Sequence, residues 1–336
     1  MENILLIGNG INRLKDQNSL EWSDLLTKLS TDYAITVDLK NPLKPFPLSF
    51  DEMTNLKAGN NSFENKIRNL KQKISNSFFE LANQNGDTWH NDYHLKFLEL
   101  EHINTLLTTN YDYGFETAIE NEFLKQKVDL AIDKNESIHS TKRCYKIQNK
   151  KIWHIHGELT NNRNYKSSSI KNYPEESIMI GFGHYARYHN KIMNLINGKS
   201  VAEKLQHSEV KEWPFYFFNS NIHIIGFGLD FSESHIWWLL QKRKEFLHRG
   251  IYIKNNICFY HLESERSSVQ LNFKDEEEYF KKVKSEINLS KTKAKIEVLK
   301  SLGVKIESIT CNSDGNEKYT EFYDKVIDKL NEQLFK

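Results

Sequence analysis

What the chain lacks narrows its class first. No run of roughly 18 or more apolar residues occurs, and mean hydropathy is -0.65, which excludes a membrane-spanning helix. The opening stretch MENILLIGNG has no basic region and reaches a glycine turn too soon for a signal peptide. There are three cysteines, Cys144, Cys258 and Cys311, far apart and odd in number. They form no Cys-x-x-Cys pair, so a structural zinc ribbon is excluded, and free thiols in a reducing cytoplasm are expected. Net charge is also scarce: 46 Lys+Arg stand against 45 Asp+Glu. A broad nucleic-acid footprint is therefore not expected, although a local basic patch is compatible with that balance. No internal repeat and no low-complexity tail is visible.

What is present points to a large core. The 336 residues include 20 Phe, 15 Tyr and 6 Trp, side chains that carry much burial. Short apolar runs, each ending in a glycine or polar turn, predict strands at 4–7, 103–108, 151–155, 177–180, 222–225, 251–260 and 304–309. Continuous apolar runs suit strands buried on both faces, hence a parallel sheet. Helical pattern lies between them. Tyr319, Phe322, Tyr323, Val326, Ile327, Leu330 and Leu334 keep the three-and-four spacing of an amphipathic helix. A further helix precedes Gly303, a suitable C-cap residue. Strands alternating with helices predict an α/β, Rossmann-like, doubly wound fold with a mostly parallel sheet.

Two stretches exceed a minimal version of that fold. Residues 38–102 hold Pro42, Pro45 and Pro47 in a loop and then turn helical, and 185–213 are helical as well. Both are expected to be helical insertions covering the ligand edge of the sheet. Residues 263–300 are rich in charge and predict a solvated helix pair. The whole chain, 1–336, is expected to form one domain, with a C-terminal α/β extension over about 250–336.

The strand ends carry the chemistry. In NILLIGNGINR a strand runs into Gly8-Asn9-Gly10 and a helix start. Glycines admit a phosphate close to the backbone, and helix N-terminal amides favour an anion. The dehydrogenase fingerprint would place a third glycine where Arg13 stands. A tight strand-to-helix turn accounts for the stretch equally well. In LLTTNYDYGFE a core strand ends in an amide, a phenol and a carboxylate at Asn110, Tyr111 and Asp112. A turn or a ligand site would explain it. Further glycines and polar groups stand at 156–157, 181–185 and 226–230. Ligands of open parallel sheets sit beyond the carboxyl ends of the strands. One shared site accounts for five such ends more economically than five separate turns. His154 and His156 lie two apart and share a strand face. A metal would need further ligands nearby, and none is near in sequence. A general base at His156, with His154 supporting it, is the stronger reading.

Taken in order, these motifs resemble the sirtuin superfamily, specifically its bacterial sirtuin-like branch associated with phage defence. GNGIN at 8–12 resembles the sirtuin Gly-Ala-Gly-Ile-Ser turn, with Asn12 in place of the serine. TTNYD at 108–112 resembles Thr-Gln-Asn-Ile-Asp. His156-Gly157 stands for the His-Gly, IGFGH at 180–184 for a Phe-Gly strand end, and GFGLD at 226–230 for the Gly-Thr-Ser nucleotide turn. The resemblance covers about residues 3–230. The AbiH abortive-infection family has a similar Gly-Asn-Gly start and a His-Gly. The four-cysteine zinc module of sirtuin deacetylases is missing here.

The resemblance implies NAD+ hydrolysis rather than deacylation. It implies that Asn110 holds the nicotinamide ribose and the attacking water, that Asp112 contacts the nicotinamide end, and that His156 is the base. It places Gly8, Asn9, Gly10, Asn12, Thr109, Tyr111, Gly226, Phe227, Gly228 and Asp230 around the dinucleotide. NAD+ is then the substrate, and no metal is expected. It further implies a cytoplasmic bacterial effector of abortive infection. A homo-oligomer or a separately encoded partner, such as a nucleotide-pyrophosphatase-like sensor, would control it. Two other readings stay open: a silent nucleotide-binding subunit and an NAD-dependent deacylase.

Overall fold

The computed structural model describes residues 1–14, 22–39, 41, 43–57, 62–84, 90–126, 129–130, 140–159, 178–197, 212–251, 253–263 and 276–334. Among them eight strands form one sheet: β1 Asn3–Ile7, β2 Ile103–Thr108, β3 Asp129–Leu130, β4 Tyr145–Ile147, β5 Lys150–His154, β6 Asn221–Ile225, β7 Ile257–Leu262 and β8 Lys305–Ile309. Their spatial order is β3-β4-β5-β2-β1-β6-β7-β8. Only β3 and β4 run antiparallel to their neighbours. The six parallel strands, counted along the chain, follow the order 3-2-1-4-5-6 of a doubly wound dinucleotide fold. The order reverses between β1 and β6, where a crevice opens beyond the strand ends.

β1 shows why its sequence has no polar alternation. Leu5 and Ile7 point into one core, and Ile4 and Leu6 into the other, all fully buried. The first core is covered by helices Trp22–Asp32, Phe46–Leu56, Phe63–Gln84, Asp92–Leu98 and Glu317–Leu334. The second is covered by Phe182–Asn197, Ser234–His248 and Glu276–Ser301. Burying each such aliphatic side chain stabilises by roughly 1.5–3 kcal/mol, and after Asn3 no position on β1 is spared for solvent. Local signals set several helix starts. Pro45 and Pro47 frame the start of Phe46–Leu56. Asn91 and His94 form a reciprocal capping box at Asp92–Leu98.

Several expectations are corrected. The run at 177–180 is no strand: position 177 is outside the described residues, and Ile178 makes only an isolated antiparallel bridge to Gly157. Its polar groups go elsewhere, Met179 N–H donating to His156 O and the Tyr111 hydroxyl to Met179 O. The strand expected over 251–260 begins at Ile257. Before it, the Asn255 amide donates to Phe217 O and Ser220 O, and Arg243 donates to Asn255. Side-chain bonds hold that segment in place of a ladder. Within 263–300 the described part is one helix, Glu276–Ser301, because no proline or glycine interrupts it. Positions 264–275, and 198–211 of the second expected insertion, lie outside the described residues. The β4–β5 hairpin was not anticipated. It turns through Gln148 with φ +50°.

Candidate active site

The carboxyl ends of β1, β2, β6 and β7 and the segment after β5 open into one cleft of about 1220 Å³. Asn9, Gly10, Thr109, Asn110, Tyr111, Asp112, His156, Gly226, Phe227, Gly228 and Asp230 line it. Gly8 and Asn12 stand behind that lining. The helical segments close the cleft with Phe46, Pro47, Phe78 and Tyr185. The C-terminal helices add Lys295 and Tyr323.

The glycine turns of β1 and β6 are packed on each other. Gly8 N–H donates to Ile225 O (3.1 Å) and Gly10 N–H to Gly226 O (2.9 Å). A Cβ on Gly8 would stand 2.5 Å from the Phe227 Cα. Gly226 has φ +60°, and a Cβ there would lie 2.0 Å from the Tyr323 hydroxyl. These glycines are therefore demanded by the protein's own packing, whatever they cradle. Gly228 faces open space.

Asn110 and Asp112 are held from behind. Asn12 Nδ2 donates to Asp112 Oδ2 (2.7 Å) and to Asn9 Oδ1 (2.9 Å), and Gly114 N–H donates to Asp112 Oδ1 (3.0 Å). Burial pushes the Asp112 carboxyl above its usual range, and the Asn12 amide and the Gly114 N–H pull it back. Asn12 thus acts on Asp112 and not on the cleft directly. Tyr111 spends its hydroxyl on Met179 O, so its part in the lining is its ring. Asn110 is 5 % exposed, and its Oδ1 has no hydrogen-bond partner while lining the cleft. A buried acceptor of this kind is satisfied by a ligand hydroxyl or water.

His154 holds the backbone of Asn110 and not His156, through a pair that sequence reasoning missed. Its Nδ1 lies 2.9 Å from Asn110 O and its Nε2 2.9 Å from Glu116 Oε1, with both side chains buried. Burial alone would lower the His154 pKa, but the Glu116 charge and hydrogen bond outweigh it and raise it to about 9. The imidazolium then donates from both nitrogens. An unfolded histidine titrates near 6.5. Protonation of His154 therefore stabilises the fold fully below pH ~6.5, and that contribution is lost as pH climbs toward 9. Its scale is of the order of 3 kcal/mol. Lys150 works the other way, since burial lowers its pKa to about 8 and its effect is relieved above that pH. The unfolding temperature should therefore fall between pH 6.5 and 8, measured by calorimetry. Glu116→Gln should flatten that slope, and an equal slope in both proteins would contradict the pairing.

His156 meets two residues that sequence reasoning did not single out. Its Nε2 lies 3.1 Å from Glu233 Oε2 and 3.2 Å from His235 Nε2. Both partners sit at the start of helix Ser234–His248, just beyond the GFGLD turn. Burial, then the charges on His156 and His189, hold His235 well below its ordinary pKa. His156, Glu233 and His235 are also the group among the described residues whose donor atoms could hold a metal ion, all within 4.8 Å of one another. The only sequence signal was the acidic and imidazole pair in SESH, which any exposed helix start would also show.

On the basic side, Arg13 and Lys282, Lys295 and Lys318 line the cleft, and Lys295 donates to Gly228 O. No described helix is long and apolar enough to cross a membrane. The three cysteines are buried and unpaired.

Residues 104–246 match the family model described as the SIR2-like domain. The matched span runs from β2 through His156 and the β6 turn into helix Ser234–His248, and it leaves β1 and its glycine turn outside. No curated protein matches the chain. The match shows a likeness to the SIR2-like domain over that span, less than half of the chain.

Proposed function

With a SIR2-like match across residues 104–246 as the premise, we propose that the chain is an NAD+ glycohydrolase. The observation that carries this reading is the convergence of Asn110, Asp112 and His156 with the two glycine turns on one cleft, at the point where the strand order reverses. The chemistry needs little acid catalysis, because nicotinamide leaves as a neutral molecule. Water adds to C1′ of the ribose, the glycosidic C–N bond breaks, and its electron pair leaves with the nicotinamide. The water proton passes to His156. The products are nicotinamide, ADP-ribose and one proton. The protein's task is to hold the ribose, favour an oxocarbenium-like state and place the water. The unpartnered Asn110 Oδ1 suits a ribose hydroxyl or that water. Lys295 and Arg13 beside the glycine turns suit a pyrophosphate. Deacylation finds no support in three dispersed, buried cysteines.

The resemblance to phage-defence proteins supports a role as an abortive-infection effector. An unregulated hydrolase would deplete its host's NAD+, so an off state is required, lifted by oligomerisation or by a separately encoded partner. The test follows nicotinamide release from NAD+ against protein concentration, alone and with the neighbouring gene's product. Little turnover is expected from dilute protein, rising with concentration or partner. Full turnover by a dilute monomer would remove the regulatory reading. No turnover under any condition, with ADP-ribose still bound, would identify a silent nucleotide-binding subunit.

A further inference from the structure

The three donors around His156 do not satisfy one another with protons. His156 Nε2, His235 Nε2 and Glu233 Oε2 converge, and Glu233 Oε2 and His235 Nδ1 are buried without a hydrogen-bond partner. If His235 carries its proton on Nε2, His156 must accept it, and its lone pair is spent while the Glu233 oxygen beside it receives nothing. If His156 donates to His235, the proton of His235 sits on Nδ1, buried and unpartnered. The Glu233 oxygen, 3.1 Å away, again receives no hydrogen bond. Each arrangement leaves a buried polar atom unsatisfied, at a cost of roughly 1–3 kcal/mol. A cation between the three donors takes both Nε2 lone pairs and the Glu233 oxygen at once, and leaves only the His235 Nδ1–H without a partner.

We propose that His156, Glu233 and His235 form a binding site for a divalent transition-metal ion of the zinc type. Two imidazoles and one carboxylate form a recurrent three-ligand set for zinc that keeps a fourth position open. With metal–ligand bonds of roughly 2.0–2.2 Å, tetrahedral ligand atoms stand roughly 3.3–3.6 Å apart. The spacings of 3.1 and 3.2 Å are close to that. His156 and Glu233 line the cleft, which gives the ion an entry path and an open side. The rings of Tyr185, Tyr188 and Trp213 surround His235 and shield the buried side. The site was invisible in the sequence because His235 lies 79 positions beyond His156.

No step of the proposed hydrolysis uses the ion. Its effect on the reaction rests on the NAD+ reading: it takes the Nε2 lone pair that a base at His156 would use, so a loaded site is switched off. Binding itself is independent of that reading.

The test uses full-length protein stripped with a chelator. Zinc titration calorimetry and elemental analysis after dialysis should give one ion per chain. His235→Gln and Glu233→Gln should each weaken binding at least tenfold. Cobalt(II) bound to the wild type should give the strong visible absorption of a tetrahedral nitrogen-and-oxygen site, a readout that does not depend on either variant folding. Absent stoichiometric binding, affinity unchanged in both variants, or a weak octahedral cobalt spectrum would each overturn the site. In parallel, zinc should suppress nicotinamide release and a chelator should restore it. Undiminished hydrolysis by zinc-loaded protein would overturn the shared use of Nε2. No hydrolysis with or without zinc would sink the NAD+ reading and leave the metal site standing on the binding data.

Discussion

His156→Ala is expected to lower NAD+ cleavage by ~10²–10⁴-fold, the usual cost of losing a positioned acid–base group, and Asn110→Ala by ~10²–10³-fold, the usual cost of losing a positioned hydrogen-bonding group. The folded state should survive both changes. The backbone of Asn110 is fixed without its side chain, its N–H donating to Thr108 Oγ1 and its carbonyl accepting from His154. The backbone of His156 accepts from Met179 N–H, which the substitution leaves in place. Asn110 Oδ1 touches no protein donor, so its deletion removes only what it offers a ligand. The two variants should separate kinetically. Asn110→Ala should raise KM as well as lower kcat, because it loses a ribose contact. His156→Ala should act mainly on kcat, since the base is needed only as the proton leaves. Nicotinamide release by the activated complex, with circular dichroism as a folding control, measures both. Turnover like the wild type from folded His156→Ala protein would remove His156 from the mechanism.

How much of this was legible depends on what each residue's neighbours demand. The central strands β1, β2 and β6 could be read because burial on both faces leaves mostly apolar runs. The final helix could be read because one face is wet. The strand-end residues followed from the same reading, since a core strand that stops being apolar marks the ligand edge. Strands β3 and β4 were hidden because strands of two and three residues, with Lys146 in the middle of one, carry no run at all. The 177–180 run misled for the opposite reason. Ile178, Met179 and Ile180 are buried and apolar, yet the Met179 backbone bonds to the Tyr111 side chain and to the segment after β5. Tyr323 was rightly placed on the apolar face of its helix, but nothing local says that its hydroxyl abuts Gly226. Glu116 reads as a helix-start acid, and only the fold brings it to His154. Pairs distant in sequence and joined by side chains are the part that patterning cannot reach.

Arg143 and Glu158 are such a pair, and breaking it should produce the largest loss of stability. The guanidinium Nη2 donates to Glu158 Oε1, with side-chain exposures of 7 % and 3 %. Burial opposes the charge on Arg143, but Glu158 more than offsets it and raises its pKa. Arg143→Met alone should therefore strand a buried carboxylate and destabilise by ~3–5 kcal/mol. Removing both charges should cost far less. Arg143 Nε and Nη1 have no hydrogen-bond partners, so the native pair is incompletely satisfied and offers only a small net gain over apolar packing. Urea midpoints at constant slope would show Arg143→Met well below the wild type and Arg143→Met with Glu158→Leu recovering most of the difference. The consequence reaches the cleft. Glu158 stands two residues beyond His156 and next to Gly157, whose bridge to Ile178 pins the loop. Leu159 N–H donates to Tyr111 O on the neighbouring strand end. The single variant should accordingly lose hydrolysis at temperatures where it remains mostly folded, because the segment carrying His156 opens first. A single variant within about 1 kcal/mol of wild type would show that the pair is exchangeable for water, and that other contacts fix the His156 segment.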